Sequence, residues 1–252
     1  MTKLSILLAG ILGSLFLLSP CAAQNSGKDG NQPGEDLRIL VFTKTNGYRH
    51  QSIEKGVAAL RELSQIDGFS LDHTEDSLQF NPKTLSQYKL VVFLSTTGDV
   101  LGTAQEKAFR AYMEEGGSFM GIHAATDTEY DWPWYGTLVG AYFESHPKQQ
   151  QATLHVVDRD HPSTAHMPER WSHFDEWYNF RDLQPGLKVL INLDETSYEG
   201  GSNGKSHPIA WYHSTGGGRS FYTGMGHTDA AFEDPTFRQH LSGGLRYCLG
   251  ME

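Results

Sequence analysis

The sequence predicts an α/β domain with a mainly parallel central sheet extended by antiparallel strands. Three observations carry this. Apolar runs at Leu37–Phe42, Leu90–Leu94 and Ser118–Ile122 read as buried strands, of the continuous type found in sheets covered on both faces. Segments of helical period alternate with them: Ile53, Val57, Leu60 and Leu63 recur at helical spacing within Gln51–Leu63. After Asp127 the pattern turns to short strand signals with little helix between.

In chain order, Leu37–Phe42 opens the sheet and Gln51–Leu63 is the first helix. Phe69–His73 is a short alternating strand, and Leu90–Leu94 is an apolar one. Thr103–Glu115 reads as a helix capped by Thr103, with Glu106 completing a capping box and Gly116-Gly117 ending it. Strand–helix repetition of this kind implies parallel strands with crossovers. Trp132-Pro133-Trp134-Tyr135 reads as an aromatic loop. Ala152–Val157, Trp177–Phe180, Val189–Leu193, Ile209–Tyr212 and Ser220–Thr223 read as antiparallel strands of the same sheet, since no linker separates the halves. Gly216-Gly217-Gly218 reads as a hairpin turn, and Gly200–Gly204 as a flexible loop without the flanking strand and helix of a nucleophile elbow. Asp234–Leu249 closes the chain as a helix with Pro235 in its first turn.

The 252 residues, 38% hydrophobic and 20% charged, suffice for one domain. Residues 1–23 read as a secretory signal: Lys3, an apolar run from Leu4 to Leu18, a break at Ser19-Pro20, and small residues for cleavage after Ala23. The expectation is an exported protein, periplasmic or extracellular. Lipid anchoring at Cys21 is disfavoured because Pro20 fits a lipoprotein box poorly. Residues 24–36 read as a polar, disordered leader, and 37–252 as the domain. Loss of residues 1–23 removes Lys3 and no acid, taking the net charge from −10 to −11. Such acidity without a Lys/Arg cluster argues against nucleic acid as a partner. Cys248 is then the only cysteine, which excludes an internal disulfide and a Cys-rich metal site, and its apolar segment makes it a buried structural thiol.

Ligands of parallel sheets bind at the carboxyl ends of the strands. Here these ends are Thr43–Gly47, Ser95–Asp99 and His123–Asp127. The strongest feature is Gly121-Ile122-His123-Ala124-Ala125, where a buried strand ends at a histidine between small residues. It resembles a nucleophile elbow with His in place of Ser or Cys. His50 opens the first helix on the same rim, and His227 follows a strand as His123 does. Strand alternation points Glu176 and Tyr178 to one face, Asp175 and Trp177 to the other. His146-Pro147 and His207-Pro208 read as turns that lead into strands; His161, His166 and His173 read as surface residues. The chain has 12 histidines but no His-x-x-x-His or paired-Cys spacing, so residue type permits a divalent metal such as zinc and spacing does not indicate one.

Several motifs together carry a resemblance: Thr43–His50, Gly121–Asp127, His146-Pro147, Asp175–Tyr178, Asp194–Tyr198, His207–Trp211 and Phe221–His227. Over Leu37–Leu249 the chain resembles the ThuA-like (trehalose-utilisation) family of the class I glutamine-amidotransferase-like superfamily. The resemblance implies a flavodoxin-like three-layer sandwich and a role in disaccharide catabolism, with relatives associated with 3-keto-glycosides. It also sets His123 where amidotransferases carry their catalytic Cys, which argues against thiol chemistry.

The leading expectation is therefore an enzyme acting on a small oxidised sugar. A 3-keto group acidifies the C2 proton; His123 or Glu176 would remove it, and His50, His227 and Tyr178 would stabilise the enolate, with Asp127 as a further catalytic group. Trp132, Trp134 and Trp177 would stack on sugar rings, with Tyr178, Tyr198 and His207 also binding substrate. His123 and His227 are the candidate metal ligands. A non-catalytic carbohydrate-binding module and a metal-dependent hydrolase are the alternatives, and a homo-oligomer is allowed.

Overall fold

The computed structural model describes residues 37–251. The expectations for residues 1–36 lie outside the described residues. Eleven strands form in chain order: β1 (Arg38–Phe42), β2 (Ser70–Thr74), β3 (Leu90–Leu94), β4 (Ser118–Ile122), β5 (Tyr142–Ser145), β6 (Gln150–Val156), β7 (Arg170–Asp175), β8 (Asn179–Arg181), β9 (Lys188–Leu193), β10 (Pro208–Thr215) and β11 (Gly218–Thr223). The α-helices are α1 (Ile53–Asp67), α2 (Pro82–Leu85), α3 (Thr103–Glu114), α4 (Pro133–Val139) and α5 (Pro235–Leu249).

Nine strands make one sheet in the order β2-β1-β3-β4-β11-β10-β9-β6-β7. The first five are mutually parallel, and from β11 onward every pairing is antiparallel. Two reversals therefore return β9, and two more return β7, to the direction of β4. The carboxyl end of β7 consequently faces the same rim as those of β1, β4 and β11. Strand β3 is apolar throughout and fully buried because both faces are covered. On one face Phe119 of β4 meets Phe109 of α3 and Tyr135 of α4. On the other, Gly56 of α1 packs against Leu94 and Phe232, at distances a Cβ would bring to 3.0 and 2.9 Å. The result is the expected α/β/α sandwich.

Several local expectations change. Gly102, not Thr103, caps α3, and no side chain bonds there; Thr103 already has helical geometry, so its hydroxyl is past the position that caps. The Trp132–Tyr135 loop is the start of α4, because Pro133 sits at the first helical position, where its missing N–H costs nothing. The segment expected as the strand Trp177–Phe180 is irregular until Asn179, and β8 pairs with β5 in a separate two-stranded sheet. Strand β7, unmarked by a clean apolar alternation, was not expected. The Gly200–Gly204 loop is pinned: Glu195 Oε1 accepts the N–H groups of Asn203 and Gly204, and the Asn203 amide pairs with the Phe180 backbone. His161 and His173 are buried, not surface residues; aromatic rings enclose them, including Phe221 and Tyr212 around His161 and Trp171 beside His173.

Helix α5 begins at Asp234, whose carboxylate accepts the N–H groups of Thr236 and Phe237. It carries Cys248, buried as expected, and His240. The His240 ring donates from Nδ1 to the Ser163 carbonyl at 2.9 Å, while Nε2 is buried without a partner. Burial lowers its pKa from 6.5 to about 3. Below pH 6.5 the unfolded chain takes up this proton and the folded chain does not, so stability falls with pH until the folded pKa is reached. The slope is about 1.4 kcal/mol per pH unit. His240→Asn keeps a donor for Ser163 and removes the titration. Between pH 6.5 and 4.5 the parent should lose about 2 kcal/mol more than this variant, measured by urea unfolding at the two pH values.

Candidate metal centre

The rim gathers side chains from four carboxyl ends. His50 precedes α1, His123 follows β4, Glu176 follows β7 and His227 follows β11. The turn at His123 is sharp: its φ is +52°, and the chain passes at once into a 3₁₀ turn, His123–Thr126. A Cβ at Gly121 would lie 3.0 Å from the Tyr222 ring and 3.1 Å from the Ala125 methyl, so the elbow requires its small neighbours. Positive φ at a non-glycine residue is strain of the kind found at functional turns.

Four donor atoms converge. His123 Nε2 lies 3.2 Å from His50 Nε2 and 3.1 Å from His227 Nδ1. Glu176 Oε2 lies 3.0 Å from His227 Nδ1 and 3.8 Å from His123 Nε2. His123 Nδ1 donates to the Gly224 carbonyl at 3.0 Å. Since that nitrogen holds the proton, neutral His123 presents a bare Nε2 to the cluster. Burial, then the neighbouring His50 and His227, hold the His123 pKa well below 6.5. Burial, with His227 and His146, takes His50 to about 3. Neutral imidazoles with converging lone pairs are what a cation needs. Around a tetrahedral zinc with bonds of about 2.0–2.1 Å, ligand atoms are separated by about 3.3 Å. The 3.0–3.8 Å contacts above bracket that separation, and all four ligand atoms lie within 4.8 Å of one another. Three imidazoles and one carboxylate suit zinc or a similar divalent ion.

The surroundings orient these groups. Asp175, wholly buried, accepts the N–H groups of Glu176 at 2.9 Å, His227 at 3.0 Å and Gly226 at 2.8 Å. One carboxylate thus ties together the backbones of the loops that carry Glu176 and His227. The Gln149 amide lies 2.7 Å from His227 Nε2 and engages that ring's second nitrogen. His146 Nδ1 lies 3.2 Å from Glu176 Oε1. The Tyr178 ring lies against His123, tilted by 37° with centroids 4.5 Å apart.

A pocket of about 340 Å³ opens beside the cluster. Of the residues expected from sequence, His50, Asp127, Glu176, Tyr178 and His227 line it. Burial raises the Asp127 pKa, and the Tyr130 hydroxyl donates to it at 2.5 Å. His123 is fully buried behind the pocket wall, among the converging donors. The expected stacking tryptophans lie elsewhere. Trp132 and Trp134 stack on each other, 4.8 Å between centroids, with Trp134 edge-on to Phe109. Trp177 is fully buried and its Nε1–H donates to the Gln150 carbonyl. His207 donates from Nε2 to the Tyr178 carbonyl, and its Nδ1 meets the Tyr198 hydroxyl and Glu195. Tyr198 and His207 therefore support Tyr178 from behind. Residues not singled out as site residues also line the pocket: Tyr48, Phe143, His146 and Gln149. Tyr48 adjoins His50 through one residue, and His146 follows a strand, which were the available signals.

A family described as trehalose utilisation matches residues 38–248. A ThuA-like protein from Bacteroides uniformis is 26% identical, with a TM-score of 0.74 over 84% of this chain and 91% of its own. A ThuA-like protein from Parabacteroides merdae is 22% identical, with a TM-score of 0.70 over 85% and 90%. A β-galactosidase from Bacillus circulans shares the fold over 84% of this chain and 31% of its own, at 14% identity and a TM-score of 0.55. No curated protein matches by sequence. With nearly the whole described domain covered, the chain belongs to the ThuA, or trehalose-utilisation, family.

Proposed function

We propose that this protein is an exported enzyme of carbohydrate breakdown that cleaves glycosides oxidised to a 3-keto sugar, using a divalent cation held by His50, His123, His227 and Glu176. The observation that carries the reading is the convergence of three imidazoles and a carboxylate beside a polar pocket. Membership of a trehalose-utilisation family supplies the substrate class. A divalent cation held by these four residues would supply Lewis-acid chemistry, drawing electron density from the C3 carbonyl.

The protein's own groups supply the rest. The keto group at C3 acidifies the proton on C2. His146, beside Glu176 and 42% exposed along its side chain, is the base that takes it. The electron pair of the C2–H bond forms the C1=C2 bond as the C1–O bond breaks. Asp127, its pKa raised by burial, supplies a proton to the departing oxygen. Water then adds across C1=C2, so the balance is hydrolysis. His123, expected from sequence as either base or metal ligand, is a ligand in this reading, because its free nitrogen faces the other donors and not the pocket.

The test is turnover of methyl 3-keto-glucoside by zinc-loaded and metal-free protein, reading released methanol and exchange of the C2 proton in D₂O. Metal-dependent release supports the reading. Absence of both signals with zinc, manganese, nickel and cobalt overturns it, and ligand binding without either signal identifies a carbohydrate-binding module.

A further inference from the structure

We infer that β7 is the contact through which two copies of this chain associate, edge to edge and antiparallel, about a two-fold axis at Ser172. The inference is independent of the cation and of the substrate.

Strand β7 ends the nine-stranded sheet and pairs only with β6. The Val156 N–H donates to the Glu169 carbonyl at 2.9 Å, which fixes the phase of that ladder. Opposed residues of antiparallel strands alternate between pairs that exchange both backbone hydrogen bonds and pairs that exchange none. The pairs Leu154–Trp171, Ala152–His173 and Gln150–Asp175 are therefore the bonded ones, and they use the backbone groups of Trp171, His173 and Asp175. The N–H and C=O groups of Arg170, Ser172 and Phe174 point away from β6 and have no partner among the described residues. Soluble proteins blunt such edges with lysine, proline or a bulge. The six residues of β7 include neither lysine nor proline, and the register with β6 runs without a shift.

This edge is complementary to itself. With Ser172 opposite Ser172 of a second copy, Arg170 falls opposite Phe174 and Phe174 opposite Arg170, the reciprocal relation that a two-fold axis imposes. All three are bonded pairs, so the outward N–H groups of two copies meet the outward C=O groups with none left over. Sliding the second copy by two residues leaves one N–H and one C=O of each β7 unpaired. The side chains agree with this register. Arg170, Ser172 and Phe174 share the exposed face. Phe174 is 48% exposed, and Arg170, held at 3.3 Å by Asp194, keeps 58% of its side chain exposed. Directly opposed residues have Cβ atoms about 4.5–5.5 Å apart, which brings each guanidinium within reach of the other copy's ring. Antiparallel pairing also points the carboxyl ends of the two β7 strands apart. The two copies' Glu176 clusters then open at opposite rims, and neither copy covers the other's pocket.

Sedimentation equilibrium of the full chain in chelator should give a mass that rises with concentration to twice that of one chain. Ser172→Pro removes an outward N–H that the single chain does not use, a change that an edge strand tolerates. It should weaken association at least about tenfold, a loss of about 1.4 kcal/mol. Phe174→Lys sets an ammonium against a guanidinium twice in the dimer and should weaken it likewise; at an exposed position, it stands in if the proline variant fails to fold. Cysteine cross-linking by copper–phenanthroline reads the register, in a Cys21→Ser background where the buried Cys248 is the only other thiol. Bonded pairs have Cα atoms about 5.5 Å apart, inside the range of about 4.4–6.8 Å that a disulfide spans. Ser172→Cys should therefore form a covalent dimer. Phe174→Cys alone should not, since its two copies lie four residues apart along the strands, about 13 Å. A protein that is monomeric at every concentration overturns the inference. So does a dimer that both Ser172→Pro and Phe174→Lys leave intact, or one that Phe174→Cys links and Ser172→Cys does not.

Discussion

On the proposed metal reading, zinc should stabilise this domain and His123→Ala should abolish that stabilisation. Zinc at 100 times its dissociation constant adds about 2.7 kcal/mol to the folded state. For a domain of this size, each kcal/mol moves the thermal midpoint about 2–4 °C, so the parent should gain roughly 5–10 °C. The variant removes the central donor, whose Nε2 lies 3.2 Å from His50, 3.1 Å from His227 and 3.8 Å from Glu176. It also loses the hydrogen bond to the Gly224 carbonyl, a cost of about 1 kcal/mol to the metal-free protein. The two effects separate by measuring each protein in chelator and in zinc. A zinc-induced shift in His123→Ala equal to that of the parent would remove His123 from the site.

The parallel half of the fold was legible because its signals are local. Leu90–Leu94 is buried at every position, and only a strand covered on both faces tolerates such a run. The elbow was legible for the same reason: Gly121, His123 and Ala125 are neighbours in sequence, and their crowding is a property of one turn. The ligand set was only half legible. His50, His123, Glu176 and His227 come from four separate strand ends, so no spacing within the chain announces them. Their union depends on the even number of strand reversals that brings β7 back to the direction of β4, a fact of pairing order. The tryptophans misled for a different physical reason. An indole serves equally well as a sugar platform or as core filling, and Trp177 found both its burial and its N–H acceptor inside the protein. Glu176 and Tyr178 were expected on one face by strand alternation. They do line one pocket, but β7 stops at Asp175, and the irregular segment rather than the pleat turns them inward.

Asp175 tests whether that segment is held for the sake of the site. Its carboxylate accepts N–H groups from Glu176, Gly226 and His227, so it sets the separation of two candidate ligands without being one of the four. Asp175→Asn turns one acceptor oxygen into an N–H₂ group facing N–H donors. Hydrogen bonds to a charged group contribute about 1.5–3 kcal/mol each, and the variant should be destabilised by about 3 kcal/mol. Zinc affinity should fall about 10–100-fold, the usual consequence of losing a partner that orients metal ligands. Leu245→Ala is the control: Leu245 is fully buried on α5, and its truncation costs about 2–5 kcal/mol through the cavity it leaves. At equal destabilisation, only Asp175→Asn should weaken zinc, read by chelator competition at a temperature where both variants are folded. Equal zinc affinities in the two variants would reduce Asp175 to a structural residue. A selective loss would show that the buried carboxylate holds Glu176 and His227 at the spacing a cation requires.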